Sequence, residues 1–259
     1  MFVSSTKITP LNGSSKQEDT VLADEEALEI RLGYMSAKKQ RKHKSIAQLM
    51  RSPGQDIPLS LGLLFSKNII QSSAQIMDID DAKENLVRIE LSDDFIPSFQ
   101  NSDQQHVLKA LLQKEPEPLT ENSLEIRAEY LAGLAKNLSI KQDLFHSTGA
   151  SSACGLFDEY GVVLEVTEDL RPQHAFDKLI GQLLLKSALP LCKHGLVFSG
   201  SLDFDLVYRA VLLHCPLIAA TGAPSSLAVE LAQHFDMSML ALLTEDSFNI
   251  YHDAGHIII

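Results

Sequence analysis

Cysteine is scarce in this sequence: three residues among 259, at Cys154, Cys192 and Cys215, widely spaced and with none before residue 154. That spacing excludes a disulfide framework and makes a reducing compartment the expectation. The spacings of familiar metal sites are missing too. There is no His-Glu-x-x-His, and no His-x-Glu followed by Pro-Cys-x-x-Cys, so neither zincin nor zinc-deaminase chemistry is available, and no metal ligands are predicted. A Gly-x-Ser-x-Gly elbow and a Walker-type phosphate loop are likewise absent. No apolar run reaches the length of a membrane span. The opening MFVSSTKITPLNGSSKQED lacks a basic segment followed by an apolar core, so the expectation is a cytoplasmic protein with no membrane contact. Basic residues are outnumbered, 22 against 34 acidic for a formal charge of -12, and from residue 121 onward 8 against 17. This balance argues against an extended nucleic-acid footprint, which needs clustered Lys and Arg. It leaves room for a small anion held by backbone amides.

A chain of this length buries about three quarters of its unfolded surface, so its core needs no disulfide or metal support. One domain with a smaller lobe is the expected count. Residues 1–24 are rich in Ser, Lys and Asp, show little periodicity, and predict a flexible tail. An N-terminal α+β lobe is expected over 25–120. Residues 27–35 alternate as a strand does. Behind them AKKQRKHK places five Lys or Arg between Lys38 and Lys44, which reads either as a solvated hairpin tip or as a grip on a phosphate or an acidic partner. SPGQD at 52–56 is a turn signal. Leu59, Leu61, Leu63, Leu64 and Phe65 then form an apolar segment too short for periodicity to assign. Residues 84–92 alternate as a half-buried strand. The stretch 94–121 holds three of the ten prolines and reads as a long loop with a short helix around 107–112.

Residues 121–259 read differently. An amphipathic helix is predicted over 122–138, capped by Asn122 or Ser123. Strands are predicted at 145–157, 162–166, 196–198, 217–219, 239–243 and 248–251, and helices at 172–186, 204–214 and 224–234. Strands alternating with helices of this length imply an α/β fold, a layered mixed sheet with helices on its faces.

The stretch at 168–181, EDLRPQHAFDKLIG, delivers two acids, a His and an Asp-Lys pair from a polar turn into an apolar helix, with Pro172 in the first turn. Free N–H groups there can seat an anion or phosphate, and they equally suit a plain capped helix start. His174 is a candidate for acid–base work or ligand contact, or a capping residue. Ser225 and Ser226, in the turn TGAPSS, open the next helix and again fit either a phosphate or an N-cap. Cys154 follows TGASSA and is either a small buried strand residue or a sulfur carrier. Cys192 and Cys215 lie in apolar surroundings that predict core roles.

FHSTGASSAC, TEDLRPQHAFDKLIG, LVFSGSLDFDLVYRA, GAPSSLAVELA and FNIY occur in this order between Phe145 and Tyr251, preceded by SPGQDIPLSLGLLFSKNIIQSS at 52–73. Together they resemble the FdhD/NarQ family, formate dehydrogenase accessory proteins described as sulfur carriers for the molybdenum cofactor. The resemblance covers most of the chain after about residue 27. It implies a helix at 59–65, a cytidine-deaminase-like fold for 121–259, and a symmetric homodimer. It further implies a sulfurtransferase-like carrier. Such a protein receives sulfur from a cysteine desulfurase and passes it to bis-molybdopterin guanine dinucleotide destined for formate dehydrogenase; the alternative is a cofactor-binding chaperone without sulfur transfer.

The family's Cys-x-x-Cys pair has no counterpart, its region offering Gln104, Gln105, His106 and Lys109. That leaves Cys154 as the candidate carrier. The family motif E-D-x-G-R-H-N-A-x-D-K falls on 168–178, keeping Glu168, Asp169, Ala175, Asp177 and Lys178, with Arg171, Pro172, Gln173 and His174 in its middle. The family's T-G-G-x-His ends here in Ser152, and its Ser-Gly-Arg becomes Ser199, Gly200 and Ser201. The segment that closes on the guanine nucleotide corresponds to Leu242, Leu243, Thr244, Glu245, Asp246 and Ser247. The resemblance thus implies a cofactor site of these six residues with Ser225, Ser226, Asp177, Lys178 and His174. Glu245 and Asp246 bring negative charge to it, which opposes phosphate binding.

Overall fold

A computed structural model describes residues 2–8, 17–99 and 124–259. In the N-terminal part, β3 (Glu26–Met35) turns back into β4 (Arg41–Arg51), and helix α1 (Asp56–Ser66) connects them to β5 (Ile76–Asp80) and β6 (Leu86–Leu91). These strands form a four-stranded sheet in the order β4-β3-β6-β5, with β3 parallel to β6 and the other pairs antiparallel. Leu28, Ile30 and Leu32 of β3 alternate into the core beside Val87, Ile89 and Leu91. The apolar segment too short to assign from periodicity is therefore the helix α1, with Leu59, Leu61 and Leu64 fully buried.

The C-terminal part contains a six-stranded sheet. Its strands are β8 (Ser152–Phe157), β9 (Val163–Asp169), β10 (Gly195–Phe198), β11 (Leu217–Ala220), β12 (Ser238–Ala241) and β13 (Asn249–His252), in the order β13-β12-β11-β10-β8-β9. Helix α5 (Pro172–Leu185) follows β9, α6 (Phe204–Leu212) follows β10, and α7 (Ser226–His234) follows β11. The strands divide their residues by the period of two. Cys154, Leu156, Leu196, Phe198, Ile218 and Met239 meet the core that α1, α5, α6 and α7 share, whereas Ala153, Phe157, Val197, Leu217 and Leu240 face a second cluster. Two short helices, α2 (Ala128–Leu131) and α3 (Leu134–Ser139), cover that second face.

The two parts meet where α1 crosses α5 backbone to backbone. A Cβ added to Gly62 would lie 1.8 Å from the Asp177 carbonyl oxygen, and one added to Gly181 would lie 1.9 Å from that of Pro58. Glycine is required at both positions because no side chain fits between the helices.

Three predicted elements differ. Residues 3–8 and 18–23, expected as part of a flexible tail, form strands β1 (Val3–Ile8) and β2 (Glu18–Ala23) in full antiparallel register, closed by Asp24 N–H donating to the Phe2 carbonyl at 3.2 Å. Every β1 side chain is exposed, so no apolar period marks the strand. The strand expected at 145–157 begins only at Ser152. Before it lies helix α4 (Asp143–Thr148), terminated by Gly149 at φ 70°, the left-handed cap for which glycine is suited. The helix expected over 122–138 is interrupted: β7 (Ile126–Arg127) pairs in parallel with β14 (Ile257–Ile258), and the helical remainder breaks between α2 and α3 at Gly133. The helix expected around 107–112, and Gln104, Gln105, His106 and Lys109, lie outside the described residues.

Candidate functional site

Strands β10, β11 and β12 run parallel, and β9 runs with them because β8 is antiparallel to both β9 and β10. The carboxyl ends of four strands therefore emerge at one edge, the position outside an open α/β sheet where ligands are received. Five segments meet there: 148–152 entering β8, 168–174 leaving β9, 199–203 leaving β10, 221–226 leaving β11, and 242–247 leaving β12.

Backbone hydrogen bonds lace these segments together. Thr221 N–H donates to Phe198 O at 3.0 Å, Gly222 N–H to Gly200 O at 3.0 Å, Leu242 N–H to Gly222 O at 3.3 Å and Leu243 N–H to Ala220 O at 3.0 Å. Gly222 is obligatory, since a Cβ there would lie 2.6 Å from Ser201 N. Ser199 is used structurally, its hydroxyl accepting from Ala153 N–H at 2.7 Å. Gln173 reaches from the start of α5 to Asp203 at 3.1 Å, while the other Asp203 oxygen caps α6 by accepting from Leu206 N–H at 2.9 Å. The result is a sheet edge with hydroxyl and amide groups held in place.

The residues kept from the family motif do a different job from ligand contact. Glu168 accepts from Leu144 and Phe145 N–H at 2.8 and 3.0 Å, capping α4. Asp169 and Lys178 pair at 2.8 Å, fully buried. Lys178 also donates to the carbonyls of Ser52 at 3.0 Å and Glu168 at 3.1 Å, and Ser52 N–H donates to Asp169 at 3.2 Å. Burial by itself would raise the Asp169 carboxyl, but the neighbouring His174 and the Lys178 charge hold it below the usual range. Asp177 is buried between α1, α5 and α6. It accepts from the Ser66 hydroxyl at 2.6 Å and faces Arg209 at 3.4 Å, and burial pushes its pKa up. Asp177 and Lys178 thus lie one turn beneath the edge as ties between the two parts of the molecule.

The other predicted residues, Leu243 apart, do reach the edge. His174 sits there largely buried, its Nδ1 3.6 Å from Asp169. Ser225 caps α7 by accepting from Ala228 N–H at 3.2 Å, and Ser226 is exposed beside it. Leu242 and Thr244 to Ser247 are exposed, whereas Leu243 is buried in the second core cluster. Thr244 and Ser247 close this loop on itself, Thr244 N–H donating to Ser247 O at 2.8 Å and Ser247 N–H to Thr244 Oγ1 at 3.0 Å, so Glu245 and Asp246 project from a fixed turn. Ser52, Ser66 and Arg209 complete the buried ties and were not legible in sequence, because each meets its partner only through long-range packing.

Of the two readings of Cys154 the buried strand residue is the one that holds, Cys215 lies in the core as expected, and Cys192 does not. Cys154 is wholly buried, and burial, with Cys215 close by, pushes its thiol far up. Cys215 is also buried and pushed up to about 12. Neither provides the accessible thiolate that sulfur loading needs. Cys192 is not a core residue: it is part-exposed, in the turn before β10, and its carbonyl accepts from Leu124 N–H at 2.9 Å. Among the described residues, no group of His, Cys, Asp or Glu is arranged to hold a metal ion, and no helix is long and apolar enough to cross a membrane.

The sequence model of the FdhD/NarQ family matches residues 24–258. The sulfur carrier protein FdhD of Nocardia farcinica is 32% identical over 96% of this chain and 91% of its own length. That of Saccharolobus solfataricus is 29% identical over 91% of this chain and 90% of its own. The fold matches, at a TM-score of 0.79 and 19% identity, the crystal structure of a candidate formate dehydrogenase accessory protein from Desulfotalea psychrophila, covering 99% of both chains.

Proposed function

Because the chain belongs to the FdhD/NarQ family, we propose that it is a formate dehydrogenase accessory protein that carries sulfur for the molybdenum cofactor. The observation that carries this reading is that the family match, residues 24–258, runs through all five segments of the sheet edge. The cofactor is cargo, offered by its guanine end to the loops at 199–203, 221–226 and 242–247. Backbone N–H groups and hydroxyls at strand ends and at the α7 start suit a pyrophosphate. Glu245 and Asp246 lower the affinity for it.

Sulfur is loaded at Cys192. Its thiolate attacks the outer sulfur of a persulfide on a cysteine desulfurase; the new S–S bond forms as the old one breaks, and the desulfurase cysteine leaves as thiolate. Cys192 precedes β10 and the proposed cofactor edge follows it, so loading and cofactor contact engage opposite ends of the sheet. That separation, and the burial of the other two thiols, favour a second reading in which the chain is a cofactor-binding chaperone without sulfur transfer.

Calorimetric titration with GDP, a soluble surrogate for the guanine end, tests the edge that both readings share. Saturable binding is expected, and it is lost in Gly200→Glu, which adds a negative charge to the edge at a position where a Cβ meets nothing within 4 Å. A folded sample that binds no GDP at millimolar concentration overturns the assignment of this edge.

A further inference from the structure

The β3–β4 hairpin concentrates positive charge in a chain whose formal charge is -12. Its tip is built rather than loose: Ser36 N–H donates to Gln40 O at 2.9 Å, Lys39 N–H to Ser36 O at 2.8 Å, and the Ser36 hydroxyl accepts from Gln40 N–H at 3.2 Å. Arg41 is pinned inward by Glu90 and by Asp93, the latter at 2.7 Å, and His43 meets Glu90 at 2.9 Å. Lys44 lies over the Phe99 ring, 4.5 Å from its centroid. The side chains of Lys38, Lys39 and Lys42 are exposed and pair with nothing among the described residues.

These lysines border an open strand. β4 ends the four-stranded sheet, so its outer main-chain groups have no strand partner among the described residues. Lys42 stands opposite Tyr34 and Lys44 opposite Leu32, so the two lysines share one face at a spacing of two. A register shift follows where Ile30 pairs with Ala47 and Arg31 with Ser45, leaving Ile46 as the extra residue. The bulge bends the strand and sets the basic stretch of the edge, residues 41–45, apart from residues 47–51.

We propose that this edge docks an acidic, extended segment of a partner protein by strand addition. Main-chain hydrogen bonds to β4 supply the attachment, and carboxylates at alternate positions meet Lys42 and Lys44 while further acids reach Lys38 and Lys39. The same lysines repel a second copy of this basic edge and disfavour neutral strands, which confers selectivity for acidic partners. A polypeptide fits better than a nucleic acid, because a long polyanion meets the acidic remainder of the chain and the rings of Tyr34 and Phe99 pack edge to face at 4.9 Å with Lys44 over Phe99. It fits better than a membrane surface because the tip, Ser36 to Gln40, has no large apolar residue to insert. The proposal is independent of the sulfur-carrier reading.

The test uses the full-length protein and a fluorescein-labelled ten-residue peptide of alternating Glu and Val, read by fluorescence anisotropy. Saturable binding that weakens as salt is added is expected, with a loss of roughly tenfold in the triple variant Lys38→Glu, Lys39→Glu, Lys42→Glu. Circular dichroism confirms that the variant is folded. A control peptide with Pro in place of Val cannot extend a sheet and should not bind. Equal binding of that control, binding unchanged in the triple variant, or a preference for single-stranded RNA or anionic vesicles over the Glu-Val peptide overturns the proposal.

Discussion

Asp169 and Lys178 illustrate how a polar motif can serve the fold before it serves a ligand. Their side chains are 0% and 3% exposed and 2.8 Å apart, and between them they satisfy the Ser52 backbone and the end of β9. Removing one partner leaves a buried charge unpaired, so Asp169→Asn should destabilise the protein by about 3 kcal/mol in urea unfolding. The pH dependence gives a second readout. The folded pKa of Asp169 is depressed, so its contribution is fully present above the unfolded value of about 3.9 and is lost as pH falls through the folded value. Stability measured below about pH 4 should therefore fall less steeply in Asp169→Asn than in the unsubstituted protein. Asp177 works in the opposite sense. Burial raises its folded pKa, so its contribution is most favourable at low pH and declines as pH rises through the folded value.

At the scale of elements, the α1–α5 crossing joins the two parts of the molecule. Gly62→Ala or Gly181→Ala should each cost about 1–3 kcal/mol, as overpacking does, or more where the helices must separate, measured by urea unfolding. An Ala change at Gly149 or Gly255, where a Cβ meets nothing within 4 Å, tests instead the strain of positive φ alone. The alternation of α5, β10, α6, β11, α7 and β12 was legible in sequence to within a few residues, since each element buries one face and repeats with its own period. The β1–β2 pair was not, because an exposed strand carries no apolar period. The helix expected over 122–138 was overridden by the pairing of Ile126 with Ile257, a contact across about half of the chain that no local pattern announces.

For the molecule as a whole, net charge and topology pull in different directions. Topology gathers five loops at one sheet edge, as the order of family segments implied, while Glu245 and Asp246 stand exposed on the loop after β12. Glu245→Lys with Asp246→Lys should tighten GDP binding by roughly tenfold and make it more sensitive to salt, read by calorimetry at two ionic strengths. The site was legible as a set of segments, not as a set of roles. Asp177 and Lys178 read as ligand contacts because the sequence does not reveal that α1 and α6 bury them. The two readings of Cys154 stayed open, and Cys192 read as core, for the same reason: the polar turn before Cys154 leads into a core strand, while the apolar residues around Cys192 flank an open turn.

Intact-mass spectrometry after incubation with a cysteine desulfurase and cysteine reads sulfur loading at Cys192 most directly. The expected result is a gain of one sulfur atom that is reversed by reductant, persists in Cys154→Ser and Cys215→Ser, and disappears in Cys192→Ser. A folded protein that gains no sulfur, or one that still gains it in Cys192→Ser, would contradict it.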